Sequence, residues 1–438
     1  MVSRRQFMVR SAAAASGALA IPWVVSSRAL GVLAPSKRIA VGCIGVGRMG
    51  QSNMHDILGF DDVEIVAVCD ADAKRAQDAK ALVEKEYRSR RGGGSSPACA
   101  ILRDYREMAA RRDIDAVVIS VPDHSHGLVA VEAARAGKDI FLEKPLTLTI
   151  PEGRLLSDAV SRYGRVLSVN TWQRSDSRFR RACEWVRNGL IGELRTVRVG
   201  LPVDEATDPQ PTMPVPAGLN YDLWLGPAPW TSYTEKRVHP QNDYGRPGWM
   251  RVSDYCWGMI TNWGAHHIDI AHWGMGIERT GPVEIEGQAQ FPKDGPWDVH
   301  LGFRLAYRYP NGVTMICADE GKETQGIRFE GTQGWVFVSR EELKASPASL
   351  LTATLAPGAV RLLRSADHKR DFFDCVKTRS SPIVDAETGH RSCSACILGG
   401  ITMRLGRALQ WDPVAEHFVG DDEANRLLSR PQRSPWVL

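Results

Sequence analysis

RIAVGCIGVGRMG, residues 38–50, decides how this chain is read. Its first half is a nearly continuous apolar run, the pattern of a strand covered on both faces. Its second half, Gly45-Val46-Gly47-Arg48-Met49-Gly50, is a GxGxxG placed where that strand enters a helix. Glycines there permit a tight turn and let a pyrophosphate approach backbone amides at the helix N-terminus. The next strand pattern, VEIVAVCD (63–70), ends in Asp70, at the spacing of about 20 residues expected for a ribose-binding acid. A carboxylate there accepts hydrogen bonds from a ribose diol and repels a 2′-phosphate, which favours NAD over NADP.

Outward from this stretch the alternation continues. IDAVVISVP (114–122), KDIFLEKP (138–145) and RVLSVNT (165–171) read as further strands, with helical stretches between them such as HGLVAVEAARAG (126–137). Apolar strands alternating with helices imply an α/β domain with a doubly wound parallel sheet. RSRRGGGSSP (88–97) reads as a flexible surface loop. After Thr171 the character changes. RFRRACEWVRNGLIG (178–192) reads as a helix, and strands follow at ELRTVRVGL, VEIEGQAQF, HLGFRLAYRY, VTMICADE and GWVFVSR. Most of these alternate, which predicts an α+β domain on a large, mostly antiparallel open sheet with one covered face. HRSCSACILGGITMRLGRAL (390–409) reads as a late helix. Residues 202–257 are rich in Pro and Trp and too long for an ordinary connection; such loops are functional or disordered, and the aromatics argue against disorder. The expected organisation is 1–34 as signal and linker, 35–170 as the dinucleotide domain, and 171–438 as a substrate-binding and oligomerisation domain. No internal repeat is visible.

The 438 residues are 43% hydrophobic and 24% charged, an ordinary globular composition. The N-terminus differs. SRRQFM (3–8) carries Arg4 and Arg5 together, and Ser11 to Val25 is uncharged, too short for a comfortable membrane span. Small residues follow around Ala18, Ala20 and Ala29. The stretch reads as a twin-arginine signal peptide, which predicts export to the periplasm by the twin-arginine machinery and no membrane span after its removal. The formal net charge of +4 falls to near zero once Arg4, Arg5, Arg10 and Arg28 are removed, so charge offers no argument for a nucleic-acid partner. The nine cysteines have no framework spacing. Cys43 and Cys69 read as buried thiols, and the Cys393/Cys396 pair lies in a helical pattern without redox context. Few disulfides suit a protein that folds before it is exported.

VPDHSH (121–126) and EKP (143–145) both follow parallel strands, and the carboxyl ends of such strands are where open α/β sheets bind ligands. Pro122, Asp123, His126, Glu143 and Lys144 are therefore cofactor-site candidates, and Lys144 is also a catalytic one. TNWGAHHIDIAHW (261–273) reads as one helix on which Asn262 and His266 share a face, four residues apart. His266 can take a hydroxyl proton as hydride leaves the carbon. His267 and His272 fall elsewhere on that helix and read as structural. These histidines and Asp269 do not gather on one face, so no metal site is expected. Trp224, Trp230, Trp249 and Trp257 are candidates for stacking on sugar faces, and His239 and Asp254 for bonds to hydroxyls. Trp172, Gln173 and Arg174, at the junction of the two domains, and His267 complete the candidate substrate contacts.

The dinucleotide fingerprint, the Glu143-Lys144-Pro145 turn, FRRACEWVRNGLIGELRTVRV (179–199) and GAHHID (264–269) occur in an order that resembles the Gfo/Idh/MocA oxidoreductases. YDLWLGPAPW (221–230), RVHP (237–240) and ANRLLSRPQRSPW (424–436) resemble an exported branch of that family. The resemblance implies that Lys144 and His266 act near the nicotinamide, that Asp123 and His126 border the cofactor, and that the chain forms a homodimer or homotetramer through its exposed sheet face. It also implies Asp four residues before the histidine, where this chain has Asn262; an amide can orient imidazole but cannot stabilise imidazolium by charge. The expected function is NAD(P)-dependent oxidoreduction of a sugar, glycoside or polyol, with NAD favoured over NADP, redox-neutral overall because the cofactor travels bound. Two other readings remain: an NAD-dependent glycosidase working through a transient keto sugar, and a carbohydrate-binding protein that has lost the chemistry.

Overall fold

The computed structural model describes residues 38–90 and 98–438. The signal-peptide expectation and most of the expected Gly-rich loop lie outside them. The first three loop residues, 88–90, are instead the last turn of a helix.

The first half is built as the strand–helix alternation requires. Strand β1 (Ile39–Ile44) leads through the Gly turn into α1 (Arg48–Leu58). Then come β2 (Val63–Cys69), α2 (Ala73–Arg90), β3 (Ala100–Leu102), α3 (Tyr105–Ala110), β4 (Ala116–Ile119), α4 (Asp123–Arg135), β5 (Asp139–Leu142), α5 (Ile150–Arg162) and β6 (Leu167–Val169). The sheet order is β3-β2-β1-β4-β5-β6, all parallel. Strand order reverses between β1 and β4, and a crevice opens there above the strand ends. Two glycines make the β1–α1 turn. Gly45 has φ +77, a left-handed conformation, and a Cβ at Gly50 would lie 2.1 Å from the Gly45 carbonyl oxygen.

The second half opens with α6 (Ser177–Arg187) and β7 (Leu194–Leu201), followed by the long 202–257 segment. This segment is ordered around short α7 (Tyr221–Leu225) and two 3-10 turns, with its own apolar cluster that includes Tyr221, Trp224, Tyr233 and Tyr255. It is stitched to the turn after β2: Asn220 N donates to Ala71 O (2.9 Å) and Ala73 N to Gly218 O (2.9 Å). Next come α8 (Met259–Asn262), α9 (Gly264–Met275), β8 (Glu284–Ala289), β9 (Phe303–Arg308), β10 (Thr314–Asp319), β11 (Gly326–Gly331), β12 (Trp335–Val338), β13 (Leu343–Ser346), α10 (His368–Thr378), α11 (Ala386–Leu405), β14 (Leu409–Asp412) and β15 (His417–Phe418). The nine-stranded sheet has the order β13-β12-β11-β7-β10-β9-β8-β14-β15 and is antiparallel except where β7 pairs with β10. Strand β11, which the sequence pattern passes over, takes the place beside β7.

One face of this sheet is covered. Val197, Val199 and Leu201 of β7 and Leu305 and Tyr307 of β9 are buried, whereas Arg195, Arg304 and Arg308 are exposed. Helix α11, buried along most of its length, packs against α5 of the first half and against α9. All nine cysteines are buried free thiols.

The expected 261–273 helix is interrupted at Trp263, so Asn262 ends α8 while His266 lies in the first turn of α9. Further along α9, Asp269 is fully buried and accepts from Arg174 Nε and Nη2 (both 2.7 Å), Ser392 Oγ (2.8 Å) and Thr171 Oγ1 (3.3 Å). Arg174, expected to bind substrate, is therefore committed to a buried ion pair. Asp269→Ala removes one partner and leaves the guanidinium buried without its counter-charge. The expected loss is about 3–5 kcal/mol of stability in urea unfolding; a loss under about 1 kcal/mol would mean that Arg174 finds water or another acceptor.

Candidate active site

The crevice at the switch point continues into a cavity of about 480 Å³ walled by both halves of the chain. At one end lie Gly45, Gly47, Arg48, Met49 and Asp70. Helix α1 has no side-chain cap at Gly47, so the amides of its first turn are left for an acceptor from the cavity. Asp70 accepts from Val46 N (2.8 Å) and Asp72 N (2.9 Å), and still has lone pairs for a diol. Burial raises its pKa, opposed by those two amides. Arg75 also faces the cavity, lying about as close to a Gly47 Cβ as contact allows (3.1 Å). The residues present fit a dinucleotide: free amides for its pyrophosphate and a carboxylate for its ribose.

The other end is built from the strand-end turns and from α8 and α9. Glu143 Oε1 accepts from Asn53 Nδ2 (2.9 Å) and Asn170 Nδ2 (2.7 Å), so α1 and the end of β6 hold this carboxylate. Next to it, Lys144 Nζ donates to Asn262 Oδ1 (2.8 Å). Burial lowers the Lys144 pKa, opposed by Glu143 and Asp123 and reinforced by Arg340 and Arg246. Burial also pushes the Asp123 carboxyl up to about 7, against the attraction of Lys144 and with the repulsion of Glu143. His126 is bracketed by two carbonyls, Pro145 O at 2.6 Å from Nδ1 and Val121 O at 3.0 Å from Nε2. His266 sits on the wall with its ring near Trp172 (centroids 6.4 Å apart) and with Nδ1 unpartnered. Burial and the Lys144 and Arg340 charges hold its pKa well below the ordinary value, so the imidazole is neutral.

The helical spacing predicts that Asn262 orients His266, but the Asn262 carbonyl is taken by Lys144 and among the described residues no hydrogen bond joins Asn262 to His266. Trp172, Trp224 and Trp249 line the cavity. Trp257 does not: its Nε1 donates to Leu148 O (2.9 Å) and its ring packs under Arg404 and Arg430. Trp230 is 64% exposed. His267 is buried against Gly200 O, and Asp254 lies off the cavity wall. Gln173 is fully buried behind the wall; with its amide oriented to satisfy both ends, it donates to His266 O (3.2 Å) and accepts from Arg340 Nε (3.1 Å). His239 does line the cavity, but at the dinucleotide end, where its Nε2 lies 3.0 Å from Asp72 Oδ2. Many wall residues were not singled out by the sequence reading, among them Arg75, Arg246, Trp263, Arg340 and Trp436. Trp263 falls within TNWGAHHIDIAHW and Trp436 within the tail stretch 424–436 that resembles the exported branch, whereas Arg75, Arg246 and Arg340 come from distant segments with no local motif.

Fold and site together define an NAD-binding Rossmann oxidoreductase. The profile described as "Oxidoreductase family, NAD-binding Rossmann fold" matches residues 39–171, and "Oxidoreductase family, C-terminal alpha/beta domain" matches 205–438. The chain belongs to the Gfo/Idh/MocA oxidoreductase family. It is 31% identical over 307 residues to the uncharacterized oxidoreductase YrbE of Bacillus subtilis, covering 68% of this chain and 73% of that one. It is 32% identical over 172 residues to an alpha-N-acetylgalactosaminidase of Shewanella oneidensis, covering 38% of this chain and 35% of that one. Among solved structures it resembles the WlbA dehydrogenase of Bordetella pertussis in complex with NADH and UDP-GlcNAcA (TM-score 0.62, 18% identity, 86% and 99% coverage). It also resembles scyllo-inositol dehydrogenase of Lactobacillus casei with NAD(H) and scyllo-inositol (TM-score 0.57, 16% identity, 85% and 99% coverage). At such identities these likenesses show the shared fold.

Asp70→Asn removes one carboxylate oxygen and the charge facing the ribose. NAD affinity in a fluorescence titration is expected to fall about tenfold, and the preference over NADP to narrow. Unchanged affinity for both nucleotides would put the ribose elsewhere.

Proposed function

We propose that this chain is an exported, NAD-dependent oxidoreductase that acts on a CH–OH group of a sugar, glycoside or polyol. One observation carries the reading: a lysine of lowered pKa and a neutral histidine share one cavity with the dinucleotide turn. When bound, NAD supplies the ring that accepts or returns hydride. Lys144, tethered by Asn262, holds the substrate hydroxyl and takes its proton. His266, neutral and unpartnered at Nδ1, is the second proton acceptor within the site. Asp123, titrating near neutrality beside Lys144, carries protons between the lysine and the cavity. Trp172, Trp224 and Trp249 offer apolar faces to the sugar ring and displace water.

The paired arginines of SRRQFM support export by the twin-arginine route, which delivers the protein folded and with its cofactor bound. A cofactor that is not exchanged outside the cytoplasm must be regenerated in place, so the overall reaction is redox-neutral. The open face of the nine-stranded sheet is the surface for pairing into a homodimer or homotetramer. The similarity to an alpha-N-acetylgalactosaminidase supports a second reading, in which oxidation at one carbon precedes loss of an aglycone and hydride then returns. Absorbance near 340 nm on adding sugars tests oxidation, and release of a chromogenic aglycone picks out the glycosidase.

Lys144→Ala is expected to slow turnover by about 10²–10⁴ while leaving the dinucleotide bound. Asn262→Asp sets a carboxylate against the Lys144 ammonium and raises its pKa. The amine then becomes a competent base only at higher pH, so the acidic limb of the pH–rate profile moves up. A limb that stays in place would hand the proton to His266.

A further inference from the structure

Arg340 follows β12 and reaches the reacting end of the cavity, among Lys144, His266 and Trp172. Its guanidinium lies 4.0 Å from the Trp263 ring centroid and 4.8 Å from that of Trp172. Gln173 accepts from its Nε. Two indoles and a buried amide thus hold the plane and the back edge of the group. Its two terminal nitrogens have no hydrogen bond or ion pair among the described residues. The neighbouring cations are matched: Arg246 Nη2 donates to Asp204 Oδ1 (2.9 Å), and Lys144 faces Asp123, Glu143 and Asn262. Burial alone pushes the Arg340 pKa down to about 10, with no carboxylate opposing it. An oriented, partly desolvated guanidinium with a free fork is costly to leave unpaired, and its geometry suits two oxygens on one planar carbon.

We propose that Arg340 receives a carboxylate of the substrate, so that the sugar presented to Lys144 is a sugar acid such as a uronate. The proposal rests on the oxidoreductase reading for the placement of substrate beside Lys144. It selects a carboxylate over a phosphate because one unmatched cation balances one negative charge. Trp172, which touches both Arg340 and His266, sets the carboxylate about one aromatic ring from the reacting hydroxyl.

The test is equilibrium binding to the NAD-loaded protein, followed by calorimetry. The probes are the methyl glycosides of glucuronate, galacturonate and mannuronate, each beside its neutral parent and the parent's 6-phosphate. At least one uronate is expected to bind about 10- to 100-fold more tightly than its parent, the range of a charge-assisted pair. Arg340→Gln removes that preference without changing affinity for the neutral sugar or for NAD, and Arg340→Lys keeps part of it. Three results would each overturn the proposal: uronates no better than their parents, a preference that survives Arg340→Gln, or 6-phosphates that outbind uronates. Because binding is read without turnover, uronate preference with neither a transient 340 nm change of the bound cofactor nor any product formed from any substrate would sink the oxidoreductase reading and leave this one standing.

Discussion

Asp269 is the charge on which the site depends. It has no exposure and accepts from the strand crossover (Thr171 and Arg174), from α11 (Ser392), and from nothing in solvent. A buried carboxylate survives only if its counter-charge and hydrogen bonds are complete, so these two segments and α9 have a single arrangement that avoids a large desolvation cost. His266 stands less than one turn earlier on α9, and Trp172 two residues before Arg174 on the crossover. The ion pair that contacts no substrate therefore fixes the two residues that border it.

The cavity is an electrostatic compromise between burial and proximity. Burial favours neutral forms of Lys144, Asp123 and His266. Proximity favours opposite charges on Lys144 and Asp123 and keeps His266 unprotonated beside two cations. Of the three, the Asp123 carboxyl is pushed up to about 7, while Lys144 and His266 are both displaced toward their neutral, proton-accepting forms. Asn262 fits this setting. An aspartate in its place would add a third carboxylate around Lys144 and pin it as ammonium; the amide holds the lysine in position and leaves its proton mobile.

The 202–257 segment shows how a long connection becomes part of a site. Tyr221, Trp224, Tyr233 and Tyr255 give it a small core of its own, and the backbone bonds around Gly218 and Asn220 fasten it to the turn after β2. From there it spans the cavity, bringing His239 to the dinucleotide end while Trp224 and Trp249 face the interior. Trp224 does both, packing on Tyr221 and Tyr255 while lining the cavity. Trp257 and Trp230 belong to neither part of the wall.

By itself the sequence determined the parallel sheet, the Gly turn with Asp70, and the placement of Lys144 at a strand end. These follow from local periodicity and from short motifs whose geometry is set within a few residues. It also marked β7, β8, β9, β10 and β12 of the second sheet, but not β11, whose alternation runs for only Ile-Arg-Phe-Glu between two glycines, nor the short β13, β14 and β15. Whatever depended on contacts between distant segments was decided by the tertiary structure. Spacing alone put Asn262 on His266; the ammonium of Lys144 gave the amide a different partner. Arg174 read as a substrate contact, but Asp269, 95 residues on, claims it. Arg340 drew no notice, because a guanidinium's role is set by whether an acid lies within reach. That is a property of the folded neighbourhood and leaves no trace in the residues on either side.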